Sequence, residues 1–150
     1  MGGVADIIMV MEDGMISAVA DAAGAKGREA RLLPPLTLAY IGDTVFDLYV
    51  RTKGVLTTDL AAHGLHRYSA ERVCAAAQAG AYFKLEPLLL EDELYILKRG
   101  RNSHMGTVPK HASITDYRNA TAVEALVGYL YLSGRDERLN ELMHIVLEED

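Results

Sequence analysis

The chain has 150 residues, half of them hydrophobic, with a formal net charge of −6 and one cysteine, Cys74. That length holds one sizeable core, and the hydrophobic fraction with dispersed charge excludes a wholly disordered chain. A single cysteine excludes an internal disulfide framework and a cysteine zinc cluster, and the acidic balance argues at first against a nucleic-acid partner.

Residues 1–31 read as an N-terminal extension. Met1, Met9, Met11 and Met15 offer several starts, and the Ala- and Gly-rich run over 18–31 fits a frayed or partly disordered helix. No basic segment precedes the first apolar run, Asp6 interrupts it, and no stretch of about 18 uncharged apolar residues occurs. The expectation is a cytoplasmic protein without a membrane partner.

The main domain is expected over 32–150. Pro34-Pro35 opens a helix, because proline presets φ and has no N–H to leave unpaired. Leu38, Ile41, Val45, Leu48 and Thr52 then recur at helical steps as far as Lys53, and Gly54 reads as the stop. Thr57 or Thr58 caps a short turn, and Leu65 to Phe83 predicts one long helix holding Cys74 as a small buried residue. Glu91-Asp92-Glu93 open the next helix, with Lys98, Arg99 and Arg101 at its far end, the polarity a helix dipole favours. A loop over 100–112 follows. Ser113 or Thr115 caps a helix ending before Ser133-Gly134, and a last helix covers 136–147. No two-residue alternation suggests strands. The fold class is all-α, a bundle of about six helices.

Two of these helices carry a carboxylate among apolar and small neighbours: Asp43 in Ala39–Asp47, and Glu124 in Ala120–Leu130. Such a group is costly unless it is paired, hydrogen-bonded or bound to a cation. Oxygen donors of this kind suit Mg²⁺, which makes a magnesium-dependent phosphodiesterase one reading. In the other, each acid bonds a tyrosine or arginine, such as Tyr40 or Arg118, and only fixes helix packing. Asp47, one turn beyond Asp43, reads as solvated or supporting. Gly42 and Gly128 lie within a turn of the two acids and would permit close helix approach. His63 and His66 lack a nearby carboxylate and make no convincing metal site.

Charge is unevenly placed. Residues 98–118 carry Lys98, Arg99, Arg101, Lys110 and Arg118 against Asp116, a net of +4, while the segments on either side are each −5. Asn102, Ser103, His104, Thr107 and His111 add hydrogen-bonding groups there. This composition suits contacts to phosphate oxygens, and the loop feeds directly into the helix bearing Glu124.

Three ordered motifs then carry a resemblance. Leu38-Ala-Tyr-Ile-Gly-Asp43-Thr-Val-Phe46 resembles the signature helix of the ribonuclease III family, and Ala120-Thr-Ala-Val-Glu124-Ala-Leu-Val-Gly-Tyr-Leu-Tyr131 its second acidic helix. The segment Arg99–Lys110, with Tyr117-Arg118, is similar to the Mini-ribonuclease III branch in particular. The resemblance covers about residues 34–147. It implies the helical endonuclease domain and Mg²⁺-dependent hydrolysis of double-stranded RNA by a homodimer, with precursor 23S ribosomal RNA as substrate. It places Asp43 and Glu124 as catalytic residues and metal ligands. Ala39 stands where the signature helix usually has Glu, and Thr121 where the second usually has Asp, departures that fit the Mini branch. Since the chain ends near Asp150, no separate double-stranded-RNA-binding domain is expected. Arg99, Arg101, Lys110 and Arg118 would hold backbone phosphates, and Asn102 or His104 would reach ribose 2′-hydroxyls. The alternative is a non-catalytic module of the same shape that binds structured RNA in a ribonucleoprotein. Such a module has no need to keep both acids.

Overall fold

The computed structural model describes residues 14–25, 28–103 and 113–149. Its centre is the helix Ile114–Leu132, in which every residue from Asn119 to Tyr131 is buried except Glu124. A helix apolar on all sides must be surrounded, and this one is packed by three neighbours. In chain order the helices are α1 (described over 14–23), α2 (Pro35–Thr57), α3 (Ala62–Val73), α4 (Ala75–Leu85), α5 (Glu91–Arg101), α6 (Ile114–Leu132) and α7 (Asp136–Leu147). Short 3₁₀ turns at Ala30–Leu32 and Glu86–Leu88 join them. Against α6 lie α2, α4 and α5. The all-α class stands, with seven α-helices among the described residues in place of about six.

The added helix has a local cause. Cys74 adopts an extended conformation, φ −66° and ψ 158°, and so ends α3 and begins α4 within the stretch expected to be continuous. It is exposed, not buried as expected, because it sits at the corner and not on a helix face. Gly54 does not stop α2. It is buried inside the helix, where a Cβ would lie 2.9 Å from the Tyr68 ring, so it serves the α2–α3 packing. The helix ends at Thr57, and the Thr58 hydroxyl donates to the Gly54 carbonyl at 2.7 Å. The buried face of α2 is Leu38, Ala39, Gly42, Val45, Phe46, Val50 and Gly54, while Leu48 and Thr52 stay exposed. Ser113 caps α6 as expected, accepting from the Asp116 amide at 3.3 Å. Ahead of the main bundle, the Met15 amide donates to Asp136 Oδ2 at 2.8 Å, and Met15 and Ile16 pack against the core.

A buried ion cluster fixes the start of α5. Glu93 is fully buried, yet it accepts from Arg138 at 2.8 Å, from Arg135 at 3.2 Å and from the Leu90 amide at 2.9 Å. Tyr129 of α6 and Arg135 both donate to Asp92 next to it. A buried carboxylate is tolerable only with partners of this number and charge. α5, α6 and α7 are thereby locked at one end.

Two helices approach far more closely than side chains normally allow. A Cβ on Gly42 would lie 1.7 Å from the Glu124 carbonyl oxygen, and one on Gly128 would lie 2.0 Å from the Leu38 carbonyl oxygen. The α2–α6 crossing is therefore backbone on backbone. Gly42→Ala or Gly128→Ala should destabilise the fold by about 3 kcal/mol or more, since each obstacle is main chain that cannot turn aside. Gly80→Ala, in α4 with nothing within 4 Å, should stabilise it by about 0.5 to 1 kcal/mol. Urea denaturation of the three variants checks both signs.

Candidate active site

α2 and α6 separate from their crossing to form an open cleft of about 440 Å³. Leu36, Ala39, Tyr40, Ile41, Asp43 and Thr44 line it from α2, and Tyr117, Thr121 and Glu124 from α6. Leu36, Tyr40 and Asp43 stand at positions i, i+4 and i+7 of one helix, and Tyr117, Thr121 and Glu124 repeat that spacing on the other. Each triplet therefore occupies one face. Asp43 follows Gly42 directly, and the Gly42 approach is to the carbonyl of Glu124 itself. The contact that packs the helices thus sets the two acids opposite each other.

Their proximity has an electrostatic consequence. Burial first, then the hydrogen bond to Asp43 and the charge of Asp43, push the Glu124 carboxyl up from 4.5 to about 9. Glu124 therefore holds a proton at neutral pH and donates it to Asp43, because two adjacent carboxylates cannot both ionise without a counter-charge. A donor set of two facing carboxylates whose joint ionisation lacks only a cation fits a hard, oxygen-seeking ion such as Mg²⁺. Among the described residues no third His, Cys, Asp or Glu joins them. Asp47 does not: its Oδ2 accepts from Arg51 at 2.9 Å, away from the cleft lining.

The expected RNA-contacting residues are placed as follows. Arg99 and Arg101 flank Gly100, where α5 meets α6: a Cβ there would lie 2.9 Å from Ala122 Cα and 3.1 Å from Ala125 Cβ. Those two alanines are the neighbours of Thr121 and Glu124, so the basic end of α5 sits level with the cleft. Arg99 lies 5.4 Å over the Tyr95 ring and Arg101 5.8 Å over the Tyr82 ring. Asn102 is exposed and caps α5 through its amide, which donates to the Lys98 carbonyl at 3.0 Å. Arg118 is exposed beside Tyr117. Lys98 is diverted, since it pairs with Glu86 and bonds Tyr82. His104 and Lys110 lie outside the described residues. Sequence reasoning does not place Leu36 and Thr44 in the site, although the i, i+4, i+7 spacing from Asp43 and Glu124 marks most of the cleft wall.

The acid pair makes stability pH-dependent with a definite sign. In the unfolded chain Glu124 loses its proton near 4.5, and in the folded chain at about 9. Between those values the folded form holds a proton the unfolded form has released. The contribution is thus complete below 4.5 and declines as pH rises toward 9. In chelated buffer, Glu124→Gln should melt above the unaltered chain near pH 8.5, with the gap closing toward pH 5. Mg²⁺ should raise the melting temperature of the unaltered chain more at the higher pH. Melting curves across pH check this, and a gap constant with pH would refute it.

With that geometry in place, comparisons with known proteins converge. The Ribonuclease III domain model matches residues 36–135. The chain is 44% identical over 116 residues to a Mini-ribonuclease 3 of Brevibacillus brevis, covering 77% of this chain and 87% of that one. It is 42% identical over 119 residues to the Mini-ribonuclease 3 of Staphylococcus aureus, covering 78% and 89%. A crystal structure of a Fusobacterium nucleatum protein superposes with a TM-score of 0.72 at 30% identity, over 81% of this chain and 97% of that one. The chain therefore belongs to the ribonuclease III family, in its Mini-ribonuclease 3 group, and is an endoribonuclease.

Proposed function

We propose that this endoribonuclease is magnesium-dependent, hydrolyses phosphodiester bonds in double-stranded RNA, and matures precursor 23S ribosomal RNA as a homodimer. The observation that carries the reading is the acid pair, in which Asp43 and Glu124 meet in one cleft and burial and mutual charge hold Glu124 protonated up to about 9. Asp43 and Glu124 would hold Mg²⁺. A divalent ion supplies charge to a reacting phosphodiester and lowers the pKa of a water. To hold such an ion, Glu124 would act as its carboxylate, without the proton it otherwise keeps up to about 9. Asp43, the more exposed of the two, presents its carboxylate at the open side of the cleft. The hydroxyls of Thr44 and Tyr117 on the two walls can donate to phosphate oxygens.

Arg99, Arg101, Arg118 and Lys110 serve as phosphate contacts, with Asn102 and His104 toward ribose 2′-hydroxyls. These are contacts that read duplex shape more than base sequence. Leu36 and Tyr40, exposed at the cleft margin, offer a second copy an apolar surface to cover. A dimer would present two acid pairs, one for each strand of a duplex. Among the described residues no helix is long and apolar enough to cross a membrane.

The test is cleavage of a labelled RNA duplex in Mg²⁺, with single-stranded RNA and duplex DNA as controls. The unaltered chain should cut only the RNA duplex, and a chelator should abolish the product. Asp43→Asn and Glu124→Gln should each lower the rate by roughly a hundredfold or more while remaining folded. Duplex binding without any metal-dependent product would instead support the non-catalytic module.

A further inference from the structure

We infer that Arg31, in the turn ahead of α2, contacts a backbone phosphate of the RNA substrate beside Arg99, which extends the RNA-binding surface into the segment before the matched domain. The inference rests on the duplex-RNA reading above and adds to it a residue outside the span 36–135.

The turn is fixed in place. Ala30 and Leu33, on either side of Arg31 and Leu32, are 5% and 6% exposed, and the Leu33 amide donates to the Ala30 carbonyl at 3.1 Å. Arg99 Nη1 donates to the Arg31 carbonyl at 3.3 Å, which ties the turn to the basic end of α5. The two arginines therefore belong to one surface. That surface flanks the cleft from two directions. The turn leads within a few residues to Leu36 on the cleft wall, and the end of α5 rests on Ala122 and Ala125 beside Thr121 and Glu124.

Arg31 is also available. Among the described residues its one ion pair is to Glu29 at 3.8 Å, with the two side chains 57% and 63% exposed, a contact worth little in water. By contrast Arg135 and Arg138 are held against Asp92 and Glu93, Arg72 is held by Glu149, and Lys98 by Glu86. A guanidinium on a pinned turn presents its fork of donors with little loss of backbone freedom, and the fork matches phosphate oxygens.

The experiment measures binding and cleavage of a fluorescein-labelled blunt RNA duplex by Arg31→Ala, Arg31→Lys and a control, Lys84→Ala. Lys84 is an exposed charge of α4 in a cavity lined by Val146, Leu147 and Glu149, away from the cleft. Arg99 bonds the backbone of residue 31, so Arg31→Ala keeps that bond and should leave melting temperature and kcat unchanged. It should raise KM several-fold and reduce the slope of log Kd against log salt by about 1 for each Arg31 removed. Arg31→Lys should restore part of both. Unchanged KM and slope in Arg31→Ala, or an equal effect in Lys84→Ala, would overturn the inference. If the unaltered chain neither binds nor cuts the duplex, the parent reading fails, and that outcome is separate.

Discussion

Where α2 crosses α6, main chain rests on main chain, and the rest of the molecule is arranged around that contact. Gly42 sits against the carbonyl of Glu124, and Gly128 against the carbonyl of Leu38. With side chains at either position the helix axes would stand apart, and Asp43 and Glu124 would each face water. At this separation they face each other, and burial, their hydrogen bond and the charge of Asp43 raise the Glu124 carboxyl to about 9. Packing and chemistry are thus the same contact seen from two sides. Around the crossing, Leu38, Val45, Ala125 and Leu126 are among the buried apolar residues, so the two acids meet at the edge of the core.

The other helices position groups around that crossing. Gly100 brings α5 against Ala122 and Ala125, one step around α6 from the cleft. At its opposite end α5 is anchored by Glu93 and Asp92 to Arg135, Arg138 and Tyr129. A helix fixed at both ends presents its basic terminus at a defined height. The charges of this terminus differ in their partners: Lys98 is paired with Glu86, while Arg99 and Arg101 lie over aromatic rings and, among the described residues, form no ion pair. The +4 of residues 98–118 therefore overstates the charge available to a ligand, and its placement matters more than its sum.

Much of this arrangement is legible in the amino-acid sequence. Capping by Ser113, the acidic start and basic end of α5, and the glycines near Asp43 and Glu124 are local signals, and local signals survive tertiary context. Periodicity fails where the neighbours of a helix decide the outcome. Leu48 fits the apolar pattern of α2 but points away from α6, and Gly54 has the signature of a stop although Tyr68 packs on it within the helix. Cys74 carries no breaker signal, since the corner between α3 and α4 follows from where each helix must pack. In the site, the two acids stand out because a carboxylate in an apolar helix needs a reason. Leu36 and Thr44 do not, because a leucine or threonine on a cleft wall has the same sequence signature as one on any other helix face.

An acidic chain that acts on RNA also becomes intelligible at the scale of the cleft. Without a cation the acid pair adds negative charge to the cleft, which would repel a phosphodiester at the proposed place of reaction. Were Asp43 and Glu124 to hold a divalent cation in place of the Glu124 proton, the net charge there would rise by one, and the repulsion would weaken there alone. In the proposed reading, the arginines flanking the cleft would attract the RNA backbone while a floor without the ion would oppose it. With the ion bound, the floor would no longer oppose that attraction. Substrate seating and ion loading would then be linked, because each would be favoured by the charge the other brings. The −6 is a sum over the whole chain, and with a screening length of about 10 Å a ligand in the cleft would meet the local balance instead.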